Sequence, residues 1–167
     1  MTFTDIMNEE ILKTPNNDPY ENSVFKTLNK LSSATKGKVG EKIIQKYFSK
    51  TKDAQLSPQV DGKTSEYDLL IEGKKVELKS GFVNVSNSIA VNHIRHHYEY
   101  DVVWLCFFLP KNTVVIRELQ KEEVIEVFTT RHSKKTDDDY GKSLIYKSWC
   151  NYGKEVFKLE MKEGGLQ

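Results

Sequence analysis

Cysteine is nearly absent from this sequence, which contains two in 167 residues. Cys106 stands in an apolar run and Cys150 near the carboxyl end, and this spacing matches neither a disulfide framework nor a metal-ligand motif. Such scarcity is typical of proteins in a reducing compartment. We therefore expect a cytoplasmic protein in which both cysteines are packing residues.

A long apolar run is also missing. The longest, VVWLCFFL at residues 102–109, is far shorter than the roughly 20 residues that cross a bilayer, and it is typical of a buried strand. The first ten residues, MTFTDIMNEE, are acidic and have no apolar centre, so they do not resemble a signal peptide. No membrane association is expected.

Charge of one sign is not in excess, because 25 lysines and arginines face 24 aspartates and glutamates, for a formal net charge of +1. A chain with this balance has no strong overall attraction to nucleic acid or to an anionic membrane, so binding to either requires a local patch. The length is that of one domain, and no internal repeat is visible. We predict one domain over residues 1–167, with an N-terminal helical extension at about 1–36.

Two amphipathic helices are predicted in the first third of the chain. The first lies at about 22–32 and starts at Asn22 or Ser23 as a cap. The second covers GKVGEKIIQKYFSK, in which apolar residues recur three and four positions apart. Glu41 is expected in the first turn of this second helix.

Strand patterns dominate the rest of the sequence. A hairpin at 67–82 is followed by VNVSNSIAV, which is either a third strand or a loop, and by NHIRHHYEY, which favours a helix. The clearest strand runs from Asp101 to Leu109, with TVVIREL as its antiparallel neighbour. LQKEEVIEVFTTR then predicts a helix, residues 131–142 an exposed loop, and KEVFKLEMK a final strand. This order predicts an α/β fold, a mixed central β-sheet flanked by α-helices.

The hairpin YDLLIEGKKVELKSGF carries three charged residues where a half-buried hairpin is expected. Gly73 tolerates the positive φ that a two-residue turn requires. With Glu72-Gly73 as the turn, Asp68 lies opposite Glu77, and with Gly73-Lys74 as the turn, Asp68 lies opposite Lys79. In both registers, Asp68, Glu77 and Lys79 share one face, because side chains alternate along a strand.

The opposite face of the hairpin is then wholly apolar, and its residues are Leu69, Ile71, Val76 and Leu78. Two neighbouring carboxylates repel each other, which raises a pKa or recruits a cation, and oxygen ligands completed by water suit Mg²⁺. The competing interpretation is a solvated hairpin whose cross-strand charge pairs contribute only tenths of a kcal/mol.

An aspartate, a turn, the sequence ELK and a glutamate on a preceding helix together resemble the PD-(D/E)xK nuclease superfamily, to which many restriction endonucleases belong. The resemblance rests on Asp68, on VELKSG with Glu77 and Lys79, and on Glu41 in KVGEKIIQKY. It covers about half the chain, from the second helix to the strand DVVWLCFF. Tyr67 stands where the family name has proline, a residue that many members also lack.

The resemblance implies a restriction-endonuclease-like core and a role for each matched residue. Asp68 and Glu77 would bind Mg²⁺ together with the main-chain carbonyl of Leu78, and Mn²⁺ would substitute. Lys79 would position and activate the attacking water, and Glu41 would supply a further acid. A carboxylate-held divalent ion suits phosphodiester hydrolysis, because it opposes the charge developing on the phosphate and acidifies water.

Two further clusters are candidates for DNA contact. The first, in NHIRHH, comprises His93, Arg95, His96 and His97. Its two outer histidines are one helical turn apart, as in some zinc sites, but no third ligand is evident and a polar helix face is the alternative. The second, in TRHSKKT, comprises Arg131, Lys134 and Lys135. Its alternative is a solvated loop, since DDD follows it directly.

The function predicted from these residues is that of a Mg²⁺-dependent DNA endonuclease, a phosphodiester hydrolase. A Type II restriction endonuclease or its cleavage subunit is favoured over a Holliday-junction resolvase or a repair nuclease, because a resolvase usually has a broadly basic face. Cutting both strands of double-stranded DNA with one site per chain requires a homodimer or a heteromer with a sequence-reading subunit. A non-catalytic α/β binding module is the alternative from another class.

Overall fold

The structure, a computed structural model, describes residues 1–14, 17–58, 65–94, 98–124, 142–146 and 152–162. Of residues 92, 93 and 142–146 only the backbone is described. The fold is mixed α/β, with a six-stranded mixed sheet flanked by helices, as the sequence predicts at this level of detail. Across these described ranges, no helix is both long and apolar enough to span a membrane.

Three helices precede the first strand. Helix α1 spans Phe3–Lys13 and begins with a capping box in which Thr2 and Asp5 bond each other's backbone N–H groups. None of its residues is buried. Helix α2 is a single turn, Lys26–Asn29. Helix α3 spans Ser33–Phe48, with the Ser32 side chain as its N-cap.

The six-stranded sheet has the order β1-β2-β3-β5-β6-β8, and β4 pairs with β7 in a second, two-stranded sheet. The strands are β1 Ala54–Leu56, β2 Leu69–Ile71, β3 Lys74–Phe82, β4 Ile89–Ile94, β5 Val102–Leu109, β6 Thr113–Gln120, β7 Lys142–Tyr146 and β8 Lys154–Glu160. Strands β3 and β5 are parallel, and every other neighbouring pair is antiparallel. The central β5 is buried along nearly its whole length, because both faces of the sheet are covered.

Helix α3 covers one face of the central sheet. Its Gly40 lies directly against β3, where an added Cβ would come within 2.3 Å of the Ser80 hydroxyl oxygen. Further along the helix, Phe48 packs on Trp104 of β5 with 5.4 Å between ring centroids. These contacts fix the position of the helix that carries Glu41.

Strand β4 lies against the other face of β3. A Cβ added to Gly81 would come within 2.7 Å of both Ile89 of β4 and Phe107 of β5. Gly81 shares its face of β3 with Glu77 and Lys79, since alternate residues of a strand point the same way. The face that bears the charged residues is therefore partly covered by protein.

We expect Gly81→Ala to lower the free energy of unfolding by about 1–3 kcal/mol, because the added methyl group overpacks a filled contact between two buried side chains. Gly37→Ala is the matched control: an added Cβ there has no atom within 4 Å, and alanine favours a helix interior over glycine by up to about 1 kcal/mol. Urea denaturation measures the free energy of unfolding of both variants. Equal destabilisation of the two variants would contradict the packing described for β4.

The predicted helix at 22–32 is largely wrong, because only α2 is helical within it. Tertiary contacts hold this segment in turns instead. The Asn112 side chain accepts a hydrogen bond from the Val24 N–H at 2.9 Å, and the Phe25 ring packs edge-on against Phe108 at 5.3 Å. These contacts with the β5–β6 turn replace the helical hydrogen bonds that the apolar spacing predicts.

The predicted helix NHIRHHYEY is also wrong for residues 92–94, which belong to β4. The apolar side chains Ile89, Val91 and Ile94 are buried, and the strand bulges between the last two. A bulge interrupts the alternation that marks a strand, which hides the pattern in the sequence. VNVSNSIAV correspondingly contains the start of a strand, one of the two possibilities left open.

Most of the other strand predictions are confirmed, including β5, β6 and β8. The helix predicted from Leu119 is corrected at its start, because β6 continues to Gln120 and helical backbone occupies 121–124. Most of the predicted loop, 131–141, lies outside the described residues, and residue 142 already belongs to β7. Cys106 is fully buried and free, as expected of a packing residue, whereas Cys150 lies outside the described residues.

Candidate functional site

The β2–β3 turn determines which charged residues meet. Glu72 and Gly73 have φ values of 50° and 79°, so both occupy the left-handed region that a type I′ turn requires. The register pairs Leu69 with Val76 and Ile71 with Lys74. Of the two turns left open by the sequence, Glu72-Gly73 is therefore the one observed. The regular pairing ends at Leu69 and Val76, and the Asp68 N–H bonds to the same Val76 carbonyl, so the register is not continued to a pair of Asp68 with Glu77.

The hairpin also has the predicted apolar face. Its four residues are buried, with exposures of 0% for Leu69, 6% for Ile71, 0% for Val76 and 4% for Leu78. A shift of one residue in register would turn these side chains away from the core. Burial of the apolar face therefore holds the charged residues on the other face in a fixed arrangement.

Asp68 is held against the edge of β3 by two hydrogen bonds. Its backbone N–H donates to the Val76 carbonyl oxygen at 2.9 Å, and its Oδ2 accepts from the Leu78 N–H at 2.8 Å. The C=O and N–H of a strand residue point to the same side of the strand, so the Leu78 carbonyl faces the edge at which the Asp68 carboxylate lies. The Asp68 carboxylate and the Leu78 carbonyl, both predicted as metal ligands, therefore lie at the same edge of β3.

Glu77 and Lys79 stand two residues apart on β3 and form an ion pair. The distance between Lys79 Nζ and Glu77 Oε1 is 2.8 Å. Glu77 is only 7% exposed, whereas the Lys79 side chain is 24% exposed. The carboxylate is therefore buried, and its cationic partner retains contact with solvent.

Glu41 approaches from α3. It follows Gly40, the residue that lies against Ser80, and the pairing of β2 with β3 ends at Val76. The edge of β3 beyond that point is not covered by β2, which gives the helix residue access to Asp68. Since α3 begins at Ser33, Glu41 lies in the third helical turn and not in the first, as had been expected.

The pKa values of the acids show that these side chains influence one another. Burial raises the pKa of Glu77 to about 7, and the charges of Asp68 and Glu41 act in the same direction, against the opposing effect of Lys79. Burial also raises the pKa of Glu41, and the charge of Asp68 adds to this effect. The charges of Lys38 and Lys79 lower the pKa of Glu41. The structure therefore brings Glu41, Asp68, Glu77 and Lys79 together into one acidic cluster.

Two charged residues are buried within the described ranges, Glu77 and Arg117, and they differ in the groups that surround the charge. Arg117 donates to the backbone carbonyls of Tyr152 and Gly153, so its charge fastens β6 to the start of β8. Glu77 faces two other acids and one lysine. Charge burial of this kind is costly for folding and is common at functional sites.

Within the part of the chain that is described, no group of three or more histidine, cysteine, aspartate or glutamate side chains has the arrangement of a metal site. Mg²⁺ commonly uses one or two carboxylates and completes its shell with water and substrate oxygens. Two acids beside a backbone carbonyl suit that requirement, because all three donors are oxygen atoms. The metal-binding roles of Asp68, Glu77 and Leu78 stay predictions.

Six of the seven residues predicted for DNA contact lie outside the described residues, and only the backbone of the seventh is described. Arg95, His96 and His97 lie outside the described residues, as do Arg131, Lys134 and Lys135. His93 lies in β4, where only its backbone is described. The helical spacing proposed for a zinc pair with His97 does not apply at His93, because its backbone is extended.

Two residues near the cluster are not identified by the sequence reasoning. Lys38, one helical turn before Glu41, lies 3.6 Å from it, Nζ to Oε2, a spacing that the helix itself would have indicated. Tyr100 is the second: it is 4% exposed and within electrostatic range of Glu77. Nothing in the local pattern of EYD indicates this proximity, because the two residues are brought near each other only by the pairing of β3 with β5.

Comparison of this chain with models of protein families, with curated proteins and with solved structures finds no match.

Proposed function

We propose that this chain is a Mg²⁺-dependent DNA endonuclease with a PD-(D/E)xK-like core, acting as a Type II restriction endonuclease or as its cleavage subunit. The observation that carries the proposal is the acidic cluster itself. Glu77 is buried beside Asp68 and paired with Lys79 at 2.8 Å, and Glu41 reaches the cluster from α3. These are the four residues of the resemblance, contributed by α3, by the residue before β2 and by β3.

The cluster has a composition suited to a divalent cation. Three acids, Glu41, Asp68 and Glu77, interact with two lysines, Lys38 and Lys79, so the acidic side chains outnumber the basic ones. A cation that binds next to Glu77 offsets the repulsion between the acids, and oxygen donors suit Mg²⁺ or Mn²⁺.

Each residue then has a defined task. Asp68, Glu77 and the Leu78 carbonyl would hold the ion, whose bound charge stabilises the phosphate and acidifies water. The Lys79 ammonium, with solvent on one side, donates a hydrogen bond to the attacking water or to a phosphate oxygen. Glu41 accepts a proton or orients water from the helix side, since a raised pKa makes its carboxylate a better proton acceptor.

The proposed enzyme acts in association with another protein chain. One site per chain cuts one strand, so cleavage of a duplex requires a homodimer or a heteromer with a sequence-reading subunit. The proposed substrate is double-stranded DNA, and the proposed location is the cytoplasm. A non-catalytic binding module is the rival, in which the Glu77–Lys79 pair merely neutralises a buried acid.

Incubation with supercoiled plasmid in Mg²⁺ or Mn²⁺, against an EDTA control, tests the proposal. We expect ion-dependent cleavage into discrete fragments, with Glu155→Gln, an exposed acid on β8, cutting as fast as the wild type. Selective nicking of four-way junctions would assign the chain to the resolvases instead. Absence of cleavage with either ion, together with no effect of the ion on thermal stability, would contradict the nuclease function.

A further inference from the structure

Tyr100 carries a hydroxyl group for which the described residues provide no hydrogen-bond partner. The residue is 4% exposed, and within the described ranges its hydroxyl oxygen is buried and has no hydrogen-bond partner. A buried hydroxyl without a partner costs about 1–3 kcal/mol. Few buried polar groups in native proteins stay unsatisfied, and those that do frequently mark the position of a water or a ligand.

The position of Tyr100 is fixed relative to the acidic cluster. Two hydrogen bonds join the next residue to β3: the Asp101 N–H donates to the Lys75 carbonyl at 2.9 Å, and the Lys75 N–H donates to Asp101 Oδ2 at 2.8 Å. Strand β5 then runs parallel to β3, with Glu77 opposite Val103. Tyr100 therefore lies just before β5, the strand that pairs with β3, which carries Glu77 and Lys79.

The surroundings of Tyr100 make its hydroxyl a donor. An ordinary tyrosine phenol is protonated throughout the neutral pH range, and Tyr100 lies within electrostatic range of Glu77. The Lys121 ammonium lies over the Tyr100 ring, 4.8 Å from the ring centroid, and donates to the Tyr98 carbonyl, so the ring packs against a cation that is itself held by the backbone. A neutral phenol is a poor ligand for a divalent ion, but it donates readily to an oxygen atom.

We propose that the Tyr100 hydroxyl donates a hydrogen bond to an oxygen atom of a ligand held beside Glu77, an inference that rests on the nuclease function proposed above. The acceptor is a water molecule inside the site, because the hydroxyl oxygen is buried and a phosphate of the DNA does not reach it. Tyr100 is thereby a fifth polar group of the site, contributed by the segment before β5 and absent from the motif that led to the other four.

The test compares Tyr100→Phe with Tyr20→Phe. Both changes remove a buried hydroxyl and keep the ring. The Tyr20 hydroxyl has two protein partners, since it accepts from the Val83 N–H at 2.8 Å and donates to the Phe108 carbonyl. Tyr20→Phe should therefore lower Tm by about 3–10 °C without changing the catalytic constants of the folded protein. In EDTA, Tyr100→Phe should leave Tm unchanged or raise it.

Kinetics and DNA binding test whether that water belongs to the site. Tyr100→Phe should lower kcat by about 10-fold. Its Kd for a labelled duplex, measured by anisotropy in Ca²⁺, should equal that of the wild type, because the hydroxyl is not exposed to DNA.

Two results would overturn it. A wild-type kcat in Tyr100→Phe would show that the hydroxyl contacts no water of the site, and a loss of Tm equal to that of Tyr20→Phe would show that it has a structural partner. If the wild type cuts DNA and Glu77→Gln does not, either of these two results rejects only the role of Tyr100 and leaves the proposed nuclease function in place. If the wild type neither binds nor cuts DNA, the nuclease function fails and this inference fails with it.

Discussion

Glu77→Gln is expected to abolish Mg²⁺-dependent cleavage, by about 100-fold or more, while making the metal-free protein more stable above pH 7. Glutamine keeps the shape of the side chain but removes the buried charge. It also removes the carboxylate oxygen that is proposed to bind the ion. Function and stability therefore change in opposite directions, which is the behaviour expected of a site that is costly for folding.

The pH dependence follows from the raised pKa of Glu77. Because burial and neighbouring acids raise that pKa from 4.5 to about 7, the folded protein binds the proton more tightly than the unfolded chain. The stabilisation is fully present below pH 4.5 and is lost as pH rises to about 7, a change on the order of 3 kcal/mol for one group. Glu77→Gln should remove most of this slope, and Mg²⁺ should restore stability to the wild type above pH 7.

Urea denaturation at pH 5 and pH 8, with EDTA or with Mg²⁺, measures these effects beside a plasmid assay. Above pH 7, Glu77→Gln should exceed the wild type by on the order of 1–2 kcal/mol, because the loss of the bond to Lys79 offsets part of the gain. The exposed control Glu155→Gln should change neither the free energy of unfolding nor the rate of plasmid cleavage. A Glu77→Gln protein that still cuts DNA would show that the proposed active site is wrong.

Lys79→Ala is expected to impair both folding and cleavage. It removes the only cation that forms an ion pair with Glu77 among the described residues, and the pKa of Glu77 should rise further. Breaking a buried pair from one side can cost several kcal/mol. The Lys79 side chain is 24% exposed, so we expect a smaller loss, on the order of 1–3 kcal/mol at pH 8, that shrinks at pH 5 as Glu77 becomes protonated.

The chain offers a closely matched control in Lys158→Ala. Lys158 and Glu160 are also two residues apart on one strand, with 3.3 Å between Nζ and Oε1, but their side chains are 51% and 72% exposed. Loss of this pair should change the free energy of unfolding by no more than a few tenths of a kcal/mol. Equal effects of the two substitutions would mean that the Glu77–Lys79 pair behaves as an ordinary surface pair.

Cleavage distinguishes the two lysines further. Lys79→Ala should slow cleavage by about 100-fold or more, because the ammonium is proposed to contact the attacking water or the phosphate. Lys158→Ala should cut at the wild-type rate. A Lys79→Ala protein that loses stability at pH 8 but retains full activity would assign the lysine a purely structural role.

The sequence predicts the elements that have a strong periodicity of their own. Helix α3 and strands β5 and β6 were found because their apolar spacing agrees with local backbone preference. The hairpin was found because Gly73 limits the turn to two registers, both of which give it the same apolar face. Local pattern failed where contacts distant in sequence prevail, as at 22–32 and in β4.

The sequence by itself determined that Glu77 and Lys79 share one face of β3, since side-chain alternation leaves no other choice within a strand. Only the tertiary structure decided that the Asp68 carboxylate bonds to the Leu78 N–H and that Glu77 is buried. It also decided that Glu41 of α3 and Tyr100 before β5 lie within electrostatic range of Glu77. Register and burial depend on how β3 packs between β5, β4 and α3. Those contacts join residues far apart in sequence, so no local pattern contains them.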